Sequence, residues 1–94
     1  MSWSVSAIGK PAAVKAALVQ QFESARNATK HFQHEQDSVR HCESIINGEL
    51  DFLAARTNPV AVRVEASGSA YSNADGVGST QVKLEVTPLY GFVE

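Results

Sequence analysis

The C-terminal third of the chain constrains the fold most. In Val60-Ala61-Val62-Arg63-Val64-Glu65-Ala66 the apolar residues Val60, Val62, Val64 and Ala66 recur at every second position, and Val82, Leu84 and Val86 repeat the pattern in Gln81–Val86. A period of two puts one set of side chains on one face, so both segments read as strands with one buried and one solvated side. The stretch 67–79 between them is small or polar and contains Gly68, Gly76 and Gly78. That composition predicts a flexible hairpin loop across the whole stretch. Antiparallel pairing with Arg63 opposite Glu85 and Glu65 opposite Lys83 also sets Val64 against Leu84 and Val62 against Val86. Charge and burial therefore predict that register.

The rest of the chain must cover the apolar face of such a hairpin. Trp3, Val5 and Ala7 alternate with serines, which predicts a first strand over 2–8. Pro11 suits a first helical turn, since it has no N–H to leave unsatisfied and its φ is already helical. Val14, Leu18, Phe22 and Ala25 then form one stripe, predicting a helix over 11–27. Residues 27–34 are polar and aperiodic around Phe32, as in a connection between helices. Val39, Cys42, Ile46, Leu50 and Leu53, with Ile45 and Glu49 beside them, predict a second helix over 35–56. Gly48 inside it costs about 1 kcal/mol relative to alanine, which suggests close backbone packing or a local bend. Asn58-Pro59 ends the helix, because a residue before proline is pushed towards extended geometry. Pro88 ends the last strand near 87 or confines it to an edge, leaving an apolar tail over 88–94.

The expected architecture is one α+β domain over 1–94: a two-layer sandwich in β-α-α-β-β order, with two helices on one face of a three-stranded, mainly antiparallel sheet. The place of the first strand stays open. Beside 81–87 it leaves the edge at 60–66 free for strand addition, and beside 60–66 it leaves 81–87 free.

Several kinds of function are disfavoured. A net charge of −2 supplies no field for nucleic acid. A lone cysteine, Cys42, forms neither an internal disulfide nor a zinc site by itself, which suits a reducing cytosol. No apolar run approaches the roughly 20 residues that span a bilayer. His31, His34 and His41, with Glu35, Asp37 and Cys42 nearby, are the only residues of metal-ligand type that cluster. On one helix His34 and His41 stand two turns apart, about 10 Å by helical rise, too far to share an ion. They read as surface histidines, and Cys42 on the buried stripe reads as a small hydrophobe. Asn73-Ala74-Asp75-Gly76 has calcium-loop residue types without the later bidentate glutamate, and the glycines do not link a strand to a helix as phosphate loops do. No Ser/His/Asp set or carboxylate pair stands in a supporting context. The expectation is a non-enzymatic chain without cofactor, metal or small-molecule substrate.

Protein contact is the remaining theme. The stretch 67–79, with Tyr71 near its centre and Asn73 and Asp75 after it, suits ordering against a neighbour, or is simply a solvated hairpin loop. Trp3 at one end and Leu89, Tyr90 and Phe92 at the other are large apolar groups in a small domain; they either close the core or form a contact patch. The expected partner is another protein or a second copy of the chain.

Met1-Ser2-Trp3-Ser4-Val5-Ser6-Ala7-Ile8-Gly9-Lys10, the Ala/Val-rich helix after it, Val62-Arg63-Val64-Glu65-Ala66-Ser67-Gly68-Ser69 and the closing Tyr90-Gly91-Phe92-Val93-Glu94 resemble small proteins encoded in tailed-bacteriophage genomes. The likeness is one of general pattern and carries no functional residue across. It implies a virion or morphogenesis component of one domain, such as a capsid decoration or head–tail accessory protein, made in the cytoplasm and then virion-associated. A small cytosolic regulatory or inhibitory factor bound to one host or phage protein is the alternative.

Overall fold

Alternation and helical stripes do assemble into two layers. The computed structural model describes residues 2–72 and 78–91, and side-chain surroundings for 2–69 and 81–91. The elements are β1 (Ser2–Gly9), α1 (Pro11–Ala28), α2 (Gln33–Arg56), β2 (Ala61–Ser72) and β3 (Gly78–Leu89). The strands form one antiparallel sheet in the order β1-β2-β3. α1 lies mainly over β1 and α2 over β2 and β3, on the same face of the sheet. The chain is thus an α+β fold with the expected element order, and β3 is an edge strand.

Both helical stripes read from the sequence enter the core. Val14, Leu18, Phe22 and Ala25 of α1 and Val39, Cys42, Ile46, Leu50 and Leu53 of α2 meet Trp3, Val5, Val62, Val64 and Ala66 of the sheet. On β3 the burial is weaker. Leu84 and Val86 pack only partly against the core, and Val82 is 42% exposed. Packed helices sit about 8–10 Å apart and strands about 4.8 Å apart. Two helices therefore cover β1 and β2 well and leave the outer flank of β3 thinly covered.

The helix ends are fixed by local bonds. Thr29, fully buried, donates its hydroxyl to the Ala25 carbonyl at 2.8 Å and closes the end of α1. Asn58 has φ 44°, and its N–H reaches the Leu53 carbonyl at 2.7 Å, the left-handed cap that asparagine tolerates. Two ion pairs tie the helices together: Lys15 to Asp51 at 2.9 Å and Arg26 to Glu43.

Four expectations need correction. The stretch 67–79 is not a loop throughout: β2 runs to Ser72 and β3 starts at Gly78, with Ser72 opposite Gly78. Serine, glycine and alanine are weak strand formers, but pairing across the hairpin carries the ladder past the apolar segment. The register is also displaced by two residues. Arg63 faces Thr87, Glu65 faces Glu85, Val64 faces Val86 and Ala66 faces Leu84. A two-residue shift keeps each side chain on its face, so burial does not distinguish the two registers. Charge does not enforce the expected one either, because Arg63 satisfies Glu65 along its own strand at 2.8 Å. Gly48 is exposed, with nothing within 4 Å of where a Cβ would stand, so it marks no close packing. Val60 precedes β2 and is exposed rather than sharing the buried face of Val62.

Candidate protein interface

The two edges of the sheet differ. On β1, the side-chain amide of Gln21 from α1 makes two bonds to Ser6: the Ser6 N–H donates to Oε1 at 2.9 Å, and Nε2 donates to the Ser6 carbonyl at 2.8 Å. Gln21 therefore occupies the place a neighbouring strand would take. It also fixes the polarity of the ladders, because the backbone groups of Ser6 must point away from β2. In antiparallel pairs, backbone direction alternates along each strand. The odd residues Trp3, Val5 and Ala7 therefore bond the even residues of β2, and the odd residues of β2 bond those of β3. On β3, Val82, Leu84 and Val86 then direct their N–H and C=O groups outward. Pro88 is of the same parity and has no N–H to offer, which suits an edge.

Apolar surface flanks this unpaired edge. The pairs Lys15–Asp51 and Arg26–Glu43 show that Asp51 and Glu43 lie on the flank of α2 that meets α1. At 100° per residue, Ile45 and Phe52 lie on the opposite flank, towards β3. They are 40% and 56% exposed. With Val82 and the partly covered Leu84 and Val86 they line one side of the β3 edge. The other sheet face is mainly polar, with Ile8 exposed on it at the end of β1: Ser4, Ser6, Glu65, Ser67, Lys83 and Glu85 help line an open groove of about 680 Å³. Within it Glu85 stands opposite Glu65. The Arg63 guanidinium is pushed above its ordinary range, first by its hydrogen bond to Glu65 and then by the charges of Glu65 and Glu85.

The residues singled out from the sequence disperse. Trp3 closes the core, 6% exposed, and its buried indole N–H has no hydrogen-bond partner among the described residues. Leu89 is 39% exposed, and Tyr90 donates its hydroxyl to Thr57 Oγ1 at 3.0 Å, tying the tail to the end of α2. Tyr71 lies on β2 within the stretch whose side chains are outside the described set, and Asn73, Asp75 and Phe92 lie outside the described residues. His31, His34 and His41 are exposed. Among the described residues no group of three His, Cys, Asp or Glu side chains gathers as a metal site. Cys42 is buried, and burial raises its thiol pKa. Sequence reading missed Gln21 and Phe52. Nothing in a helical polar position announces a bond to a strand edge, but Ile45 and Phe52, seven residues apart beside the main stripe, do repeat on one flank.

No protein-family model, curated protein or solved structure matches this chain. Among the described residues no helix is long and apolar enough to cross a membrane.

Proposed function

We propose that this chain is a non-enzymatic assembly protein that joins a neighbouring protein by extending its own sheet at β3. The observation that carries this reading is the asymmetry of the edges: Gln21 blocks β1 at Ser6, whereas β3 offers the outward backbone of Val82, Leu84 and Val86 beside exposed Val82, Ile45 and Phe52. Main-chain hydrogen bonds supply affinity in strand addition, and the flanking apolar side chains supply selectivity. The resemblance to phage-encoded proteins supplies the setting, a virion or morphogenesis component made in the cytoplasm and carried into the particle. The test is quantitative mass spectrometry of purified particles from cells that make the tagged chain. A fixed copy number per particle, reduced by Val82→Lys, is the expected result. A chain confined to the particle-free fraction in a one-to-one complex with a single protein overturns the virion setting and selects the regulatory alternative.

A further inference from the structure

We propose, resting on that reading of β3, that the strand added to this edge is β3 of a second copy of the chain, paired antiparallel about Leu84 to give one continuous sheet. β3 is complementary to itself in this register. Leu84 meets Leu84 of the second copy, Val82 meets Val86, Lys83 meets Glu85 and Glu85 meets Lys83. The even residues whose backbone groups point outward then exchange the hydrogen bonds of the new ladder. The odd residues form the intervening pairs, where side chains approach most closely. Lysine on an edge strand ordinarily discourages a neighbour. Here Glu85, two residues on, converts that charge into a match.

The single chain leaves Glu85 in need of such a match. It stands opposite Glu65, and the Arg63 guanidinium is hydrogen-bonded to Glu65 at 2.8 Å. Lys83 stands directly opposite the uncharged Ser67. Pairing about Leu84 puts a lysine beside each Glu85 on the open face. On the helix face, a two-fold axis normal to the sheet keeps all four helices on one side. An α2 seated between β2 and β3 then has its copy about two strand spacings away, roughly 10 Å and within the range of packed helices. Ile45 and Phe52 lie on the facing flanks, so the contact covers the apolar groups that two helices leave open. Gln21 keeps β1 out of the assembly, so growth stops at two copies.

The test combines solution mass by light scattering over a concentration series with a charge-exchange set at β3. The wild-type chain is expected at twice its monomer mass. Lys83→Glu, which breaks no ion pair among the described residues, is expected to weaken the dimer about tenfold or more by setting like charges face to face at two places. Lys83→Glu combined with Glu85→Lys is expected to return it to within about threefold of wild type. A monomer at every concentration overturns the second copy as occupant. Copy-number incorporation into particles, sensitive to Val82→Lys, would then still uphold strand addition at β3 to a different protein. A dimer indifferent to the charge set overturns the register.

Discussion

The indole of Trp3 lies directly over Gly68, its cross-strand partner on β2. A Cβ on Gly68 would stand 2.4 Å from the indole Nε1 and 2.7 Å from Cε2, so the ring occupies the space a side chain would fill. An aromatic that covers a strand glycine replaces the packing the glycine lacks. Here it extends the core to the end of the sheet where the polar part of the hairpin begins. Gly68→Ala is expected to lower stability by about 1–3 kcal/mol through overpacking. Trp3→Ala is expected to lower it by about 3–5 kcal/mol through loss of buried surface. Urea unfolding, followed by the fluorescence of the single tryptophan in Gly68→Ala and by circular dichroism in Trp3→Ala, checks both.

Gly48 has the opposite character. It is in the interior of α2, is exposed, and has open space where a Cβ would go. Gly48→Ala is expected to stabilise the chain by about 1 kcal/mol through helix propensity alone, raising Tm by roughly 4–8 °C. A calorimetric scan that shows no rise would mean that glycine is needed at this position for a reason other than packing.

Gln21→Ala removes the amide that occupies the N–H and C=O of Ser6 and so frees the middle of β1. Unblocked edges recruit strands. The variant is expected to fold and to form species larger than wild type as concentration rises, seen as an upward drift of mass in light scattering. A mass that stays at the wild-type value would show that β1 is guarded by something besides Gln21.

Burial raises the pKa of Cys42 because the thiolate loses hydration in the core. The folded chain therefore holds its proton to higher pH than the unfolded chain. Below the unfolded thiol value near about 8.5 the group contributes no pH dependence. As pH rises above it, the unfolded state loses protons first and stability falls. Between pH 8 and 10 the urea midpoint is expected to fall less in Cys42→Ala than in wild type. Thiol-specific reagents are expected to label wild type at a rate that follows unfolding; labelling at the rate of a free thiol would place Cys42 at the surface.

Much of this fold is legible in the sequence because burial repeats with the period of the element. Val14, Leu18 and Phe22, or Val62, Val64 and Ala66, leave few other solutions. The polar half of the hairpin is less legible, since Ser67, Gly68 and Ser69 have loop composition and become strand only through partners on β1 and β3. Register is illegible for a related reason. A shift of two residues preserves both faces, and Arg63 binds Glu65 beside it rather than Glu85 across the ladder. The candidate interface depends on which edge is blocked, and that is decided by one tertiary contact, Gln21 to Ser6, that has no signature in local pattern.

Hydrogen exchange along β3 separates strand addition at this edge from assembly through any other surface. In the assembled chain the amides of Val82, Leu84 and Val86 are expected to exchange as slowly as those of Lys83, Glu85 and Thr87, which already bond to β2. In chain dissociated by dilution or by Lys83→Glu, the even set is expected to become fast while the odd set stays slow. Fast exchange at Val82, Leu84 and Val86 in an assembled form would rule out strand addition at β3, because the assembly would then be held by some other surface.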